Sequence, residues 1–283
     1  MEFEKWQALG NDYVIVEASA LPFELTPSRI RRICAAHTGV CADGILLLCE
    51  PGEPGPVARL RIFNPDGSEA ELSGNGAREA ILYLHRRGRA PAGTFSLQTA
   101  AGEIGARIQS PSACTVTLGR ARLQSDDYPD GSREGSGELR AGGRTWRFQH
   151  VQVGNPQCAI AVGDERELAE LDLDAVGPSI ERHPLFPHRT NVSWFTPIAP
   201  GRIRARIFER GVGETSASGT GAAGSAVAHT LAGGETPVTV VLDGGELAVE
   251  VGEDLQINLG GGAVPVFLGT LADELVEELH ATQ

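Results

Sequence analysis

RLRIFNPDGSEAELSGNGA, residues 59–77, is answered by RARIFERGVGETSASGTGA, residues 204–222. Without a gap, nine of nineteen positions are identical: Arg59/Arg204, Arg61/Arg206, Ile62/Ile207, Phe63/Phe208, Glu69/Glu214, Ser73/Ser218, Gly74/Gly219, Gly76/Gly221 and Ala77/Ala222. Unrelated segments of this length share about one or two residues at ordinary usage. Upstream, Leu9-Gly10-Asn11-Asp12 is echoed by Val153-Gly154-Asn155-Pro156 at nearly the same offset. The chain therefore reads as two copies of one domain.

Its 283 residues, 41% of them hydrophobic, suffice for two domains of ordinary size with a core each. A net charge of -13 repels nucleic acid and anionic membranes, which points instead to a small-molecule partner. The first residues carry Glu2 and Glu4 and no signal-like apolar run, and no stretch approaches the length of a membrane span, so the expected location is the cytoplasm. Cys34, Cys41, Cys49, Cys114 and Cys158 lack CxxC or Cys/His spacing. They read as reduced thiols, with neither a disulfide frame nor a metal site.

Short β-branched runs between Gly, Pro, Asn and Asp dominate both halves and predict strands, among them 13–16, 44–48, 58–63, 94–97, 104–108 and 114–118, then 151–153, 159–162, 190–195, 202–208, 238–242, 247–251 and 255–259. Helices are expected at 28–36 and 173–182, at 77–87 and 222–232 directly after the repeated motifs, and at 271–280. AAGSAVAHTLA, residues 222–232, is nearly all small, as suits a helix closely approached by strands on every side. The fold class that follows is α+β, two pseudo-symmetric domains each with a mixed sheet around a central helix. The expected halves are 1–118 and 119–270, with a last helix over 271–283 packing back on the first half and a solvated hairpin or loop at 125–143 between them.

Ser73-Gly74-Asn75-Gly76 and Ser218-Gly219-Thr220-Gly221 each precede a helix. Alternate glycines let a ligand approach the backbone, and first-turn N–H groups with the helix dipole favour an anion such as a carboxylate. Each Ser alone is an ordinary helix cap. Two copies in register, each with Glu four residues before its Ser, argue for more than capping.

KWQALGND (residues 5–12), FNPDGS (63–68), SGNGAR (73–78), VGNP (153–156) and ERGVGET through GTGA (209–222) together resemble diaminopimelate epimerase, in order along nearly the whole chain. The resemblance implies two related β-barrel-like halves around central helices, with a cleft between them. It also implies cofactor-independent conversion of LL-diaminopimelate to the meso form, in lysine and peptidoglycan biosynthesis. By the same resemblance, Asn11, Asn64, Asn155, Asn191, Glu209 and Arg210 hold the distal amino and carboxyl groups, while Gly74, Asn75, Gly219 and Thr220 cradle the reacting carboxylate. A planar Arg210 guanidinium suits a carboxylate and Glu209 an ammonium. A homodimer is the expected assembly.

The family's two proton-transferring cysteines correspond to Ser73 and Ser218, and its motif histidine to Gln157. A serine alkoxide lies several pKa units above a thiol at about 8.5, at roughly 1.4 kcal/mol per unit, so serine needs a second base. Glutamine cannot supply one. Candidate bases are Glu209 and, by proximity in sequence, Asp43, Asp66, Glu69 and Glu214; Cys158 is an outside candidate that strand alternation points away from Gln157. Phenazine-biosynthesis isomerases resemble relatives that use carboxylates on such a fold. Three readings follow: an epimerase of diaminopimelate type with Ser73, Ser218 and Glu209 as its catalytic set, a different cofactor-independent isomerase with carboxylate bases, or a diamino-acid binding protein without turnover.

Overall fold

Alternating apolar residues become strand pairs in two units of the computed structural model, which describes residues 1–282. The first unit is Met1–Val116 together with the chain from Gly261 onward, and the second is Thr117–Gly260. The chain runs β1 (Glu2–Ala8), β2 (Asn11–Glu17), α1 (Pro27–Cys34), β3 (Ile45–Cys49), β4 (Ala58–Phe63), β5 (Glu69–Ala70), α2 (Gly74–Arg86), β6 (Thr94–Thr99), β7 (Gly102–Ser110) and β8 (Ala113–Arg120). It continues through β9 (Ser136–Ala141), β10 (Arg144–Val153), β11 (Asn155–Ala161), α3 (Glu165–Glu170), α4 (Leu173–Glu181), β12 (Asn191–Ala199), β13 (Arg202–Glu209), β14 (Gly213–Thr215), α5 (Gly219–Leu231), β15 (Val238–Leu242), β16 (Gly245–Val251) and β17 (Gln256–Gly262). Last come β18 (Val264–Thr270) and α6 (Asp273–Ala281).

In the first unit the strands pair in the order β18-β1-β2-β3-β4-β6-β7-β8, and β2/β3 and β4/β6 are the parallel steps. The second unit repeats this as β9-β10-β11-β12-β13-β15-β16-β17, with β11/β12 and β13/β15 parallel. Short β5 lies on β4 as β14 lies on β13. The sequence repeat is thus a repeat of topology, with β18 taking in the first unit the place that β9 takes in the second. The chain returns to the first unit at Gly261, ten residues before 271, where β18 pairs with β1 and Leu271 and Leu279 join the core of Val14, Ile30, Ile33 and Phe63. Gln283, part of the expected last helix, lies outside the described residues.

Residues 125–143 are not a linker between halves. They hold β9, hairpin-paired to β10, and Tyr128 and Leu139 join the core of Trp146, Ile160 and Trp194 in the second unit. The short α3 escaped the reading because its six residues carry only one buried apolar side chain, Leu168; Asp164 caps it. The two central helices start three residues before their expected positions, because Ser73 and Ser218 are the caps themselves.

α2 touches β1, β2, β3, β4, β7 and β18, and α5 touches β10, β11, β12, β13, β15 and β16. Each is therefore the centre of its own unit. Both helices stop alike, at Gly88 and Gly233, which sit at φ 68° and 90° where L side chains are strained. Ile81, Leu82 and Leu84 on α2 are fully buried, each worth about 1.5–3 kcal/mol of apolar transfer. α5 instead uses Ala and Gly, because strands come closer: a Cβ on Gly224 would stand 2.8 Å from Cβ of Gln157 on β11.

Gly224→Ala is therefore expected to destabilise the second unit. Alanine gains about 1 kcal/mol of helix propensity, but the contact is with a strand Cβ that cannot swing aside, and overpacking costs about 1–3 kcal/mol. A urea midpoint equal to or above the wild-type value would refute this account of the helix.

Candidate active site

Ser73 closes the β5 turn and opens α2, and its Oγ accepts from the Gly76 N–H at 3.1 Å while the Tyr13 hydroxyl lies 3.5 Å away. Ser218 repeats the cap, accepting from the Gly221 N–H at 3.2 Å. Carbonyls of the same serines take Ala77 and Ala222 N–H. By helix geometry, the N–H groups of Gly74, Asn75, Gly219 and Thr220 then have no acceptor among the described residues. All four residues are buried, so each turn offers two dry donors at a positive helix end. That is an anion receptor for a carboxylate-sized group.

Hairpins that lead into these turns are held by matched forks. Arg61 donates to Glu69 at 2.9 and 2.8 Å, and Arg206 to Glu214 at 2.8 and 3.0 Å. Arg61 holds the Glu69 carboxyl below its ordinary value. Asp66 is likewise held down, by the hydroxyl and N–H of Ser68. The acids suggested by proximity in sequence are thus committed partners: Asp66, Glu69 and Glu214 of turns and forks, and Asp43 of Asn11 and the Asp12 N–H. Cys158 is wholly buried and its thiol is pushed well up, which leaves it inert.

Glu209 differs. It ends β13, where burial pushes its carboxyl up and a hydrogen bond from the Ser218 hydroxyl pulls it partly back. A carboxylate in contact with a serine hydroxyl, with its proton affinity raised, is the arrangement a general base requires. Its neighbour Arg210 donates through its N–H to Oδ1 of Asn191 at 2.9 Å and through its guanidinium to the His188 carbonyl at 2.9 Å. Asn191 in turn donates to the Pro156 carbonyl at 3.0 Å, which ties the start of β11 to the turn after β13. Asn155 accepts from Gln157 Nε2 at 2.5 Å, and Gln157 is fully buried.

In the first unit Asn11 meets Asn75, whose Nδ2 donates to Asn11 Oδ1 at 3.2 Å. Asn64 stays in its own turn, donating to Ser68 Oγ at 3.0 Å. The structure thus joins Asn11 with Asn75 and Asn191 with Arg210 by hydrogen bonds, sets Glu209 near enough to Ser218 for the hydroxyl to lower its carboxyl, and leaves Asn64 with local partners.

Two buried acids escaped the sequence reading. Glu181, which ends α4 and is 2% exposed, accepts from the Gly211 N–H at 3.0 Å and from Arg189, so it clamps the turn that carries Glu209 and Arg210. Glu79 on α2 is fully buried, and burial pushes its carboxyl well up, with Asp12 and Asp43 adding to the push against the pull of Arg78. The signal was present: Arg78-Glu79 is the one charged pair in an otherwise apolar or small stretch from Gly74 to Leu84.

No group of three or more His, Cys, Asp or Glu among the described residues is arranged to hold a metal, and no helix among them is long and apolar enough to cross a membrane. The sequence model described as diaminopimelate epimerase matches residues 3–124 and 149–265. A diaminopimelate epimerase of Synechococcus sp. (strain JA-3-3Ab) is 38% identical over 282 residues, which is 96% of this chain and 99% of that protein. Among solved structures, a probable proline racemase of Agrobacterium radiobacter K84 aligns with a TM-score of 0.70 at 16% identity, over 96% of this chain and 93% of that one. A phenazine biosynthesis protein of Bacillus anthracis aligns with a TM-score of 0.69 at 18% identity, over 96% and 99%. These two likenesses are of fold.

A neutral Glu79 makes stability depend on pH. Its folded pKa lies above the unfolded value, so its share of stability is whole below the unfolded pKa and falls as pH rises toward the folded one, by up to about 1.4 kcal/mol per unit. Glu79→Gln is expected to flatten the decline in urea stability between pH 5 and pH 8. Parallel curves for the two proteins would mean that Glu79 does not titrate as its burial demands.

Proposed function

The chain belongs to the diaminopimelate epimerase family, and on that premise we propose that it is a cofactor-independent amino-acid epimerase that interconverts LL- and meso-diaminopimelate. In this reading the donors of Gly74, Asn75, Gly219 and Thr220 receive the reacting carboxylate, and Asn11, Asn64, Asn155, Asn191, Glu209 and Arg210 hold the distal groups. Ser73 and Ser218 are the proton-transferring pair. What supports the chemistry is the Glu209 carboxyl at the end of β13, raised by burial and partly lowered by the nearby Ser218 hydroxyl. When the Ser218 oxygen takes the α-proton, its own proton passes to Glu209, so no free alkoxide forms and the pKa penalty of serine is bypassed. Ser73 has a phenol beside it, Tyr13, and the first half's proton transfer is accordingly the slower one.

Proton NMR in heavy water with LL-diaminopimelate tests this reading. Loss of the α-proton signal with formation of meso product is the expected result. A ligand that binds, seen as line broadening, with no exchange would favour the reading as a diamino-acid binding protein, for which the two serines and Gln157 speak. No broadening would move the assignment to another substrate of a related isomerase. Glu209→Gln is expected to slow exchange by about 10²–10⁴-fold and to remove the acid limb of the pH–rate profile, which should lie above the ordinary Glu value of 4.5. Ser73→Cys with Ser218→Cys should raise the rate by orders of magnitude, because a thiolate is reached at far lower cost.

The homodimer is proposed to form through β18. That strand ends the sheet order of its unit and exposes Val266 at 53% and Leu268 at 63%, beside Val264 and Phe267. Light scattering after size exclusion should give twice the chain mass, and Leu268→Lys should give the single mass; a monomeric wild type refutes the interface.

A further inference from the structure

In the first unit, side-chain amides stand in line between a buried cation and a carboxylate. Arg78 Nη2 donates to Asn75 Oδ1 at 2.7 Å, Asn75 Nδ2 donates to Asn11 Oδ1 at 3.2 Å, and Asn11 Nδ2 donates to Asp43 Oδ2 at 2.9 Å. Every bond has one permitted direction, because a guanidinium only donates and a carboxylate only accepts. Reversing Asn11 would set two NH₂ groups against each other at one end and two oxygens at the other.

Both ends are themselves anchored. Arg78 is fully buried, with its Nη1 on the Gly74 carbonyl at 3.0 Å and its Nε 3.5 Å from that of Gly262. Asp43 also accepts the Asp12 N–H at 3.0 Å, Asp12 accepts that of Asp43 at 3.2 Å, and Lys5 pairs with Asp12 at 3.1 Å. Among the described residues no salt bridge reaches Arg78 or Asp43, so the amide chain is what joins their charges.

A packing role does not account for Arg78. It stands in the second turn of a helix, near the positive dipole end, where burying a cation is costly. The second unit builds the same helix at the same depth with Ala223 in the corresponding place, 145 residues on, and Ala223 is also fully buried. There Asn155 takes its partner from Gln157. The fold therefore works without an arginine at this position.

We propose that Arg78 and Asp43 are positioning residues that fix the amide polarity of Asn75 and Asn11, so that Asn11 presents one set N–H and one set lone pair to the ligand. The inference rests on the reading of Asn11 as a substrate-holding residue. It makes Asn11 and Asn75 an electrostatically biased pair of ligand-holding amides in the first unit.

Asp43→Asn tests it on the exposed end of the chain, and Arg78→Lys on the buried end; should the latter fail to fold, Asp43→Asn decides alone. In ¹⁵N–¹H spectra of the ligand-free protein, Asp43→Asn is expected to move the side-chain NH₂ signals of Asn75, which does not touch Asp43, as well as those of Asn11. With LL-diaminopimelate, KM should rise about tenfold while kcat stays within about twofold and the melting temperature holds. Unmoved Asn75 signals overturn the inference, and so does an unchanged KM with moved signals. If the wild type neither binds nor converts diaminopimelate, the proposed function fails, and the ligand-free spectra judge the chain by themselves.

Discussion

The structure depends on two helices that begin inside their own sheets. Elsewhere a first helical turn leaves its orphan N–H groups in water. Here Gly74 through Ala77 and Gly219 through Ala222 are buried, and each serine satisfies the last two of its four donors, one by its hydroxyl and one by its carbonyl. A buried donor without a partner costs about 1–3 kcal/mol, so each turn holds a few kcal/mol that a bound anion can recover. The same glycines let the sheet in: a Cβ on Gly76 would meet Leu46 at 2.9 Å, and one on Gly221 would meet Ile207 at 2.7 Å. Close packing at Gly76 and Gly221 thus stands within two residues of the unpartnered donors in each copy.

Serine at both turns changes what the chemistry must supply. The pKa gap between hydroxyl and thiol, at about 1.4 kcal/mol per unit, is too large for a helix end to close, since such an end contributes about 0.3–2 kcal/mol. A carboxylate in contact with the hydroxyl closes it differently, by accepting the displaced proton. Among the described acids, Asp66, Glu69 and Glu214 are engaged by Ser68, Arg61 and Arg206, whereas Glu209 has its carboxyl raised by burial with the Ser218 hydroxyl nearby.

What the sequence made legible was periodic or local. Nine matched positions, two serine caps and the run of small residues in α5 follow from spacing alone, and the topology reproduces them. Contacts such as Asn11–Asn75 and Asn191–Arg210 were not legible as contacts, since they join residues 64 and 19 positions apart through strand register. Glu69 and Glu214 reach back across their hairpins to Arg61 and Arg206, the salt bridging that arginines two positions before each Phe allow. Pairing of β18 with β1 joins the two ends of the chain, and no local pattern announces such a pairing.

Divergence of the two copies shows which positions the fold leaves free. Serine, glycine and the Arg–Glu fork are identical in both, because capping, close approach and hairpin geometry admit few other residues. Arg78 and Glu79 correspond to Ala223 and Gly224, one copy burying an arginine and a carboxylic acid where the other buries almost nothing. A core under stability selection alone would converge on the second solution, since a buried cation and a buried acid both cost free energy and small residues do not. The first copy's departure from it lies next to Asn75, at the turn where the helix has donors to spare. There Arg78 donates to the Asn75 side chain and the Gly74 carbonyl, which Ala223 cannot do, so the helix itself needs only the frame that both copies share.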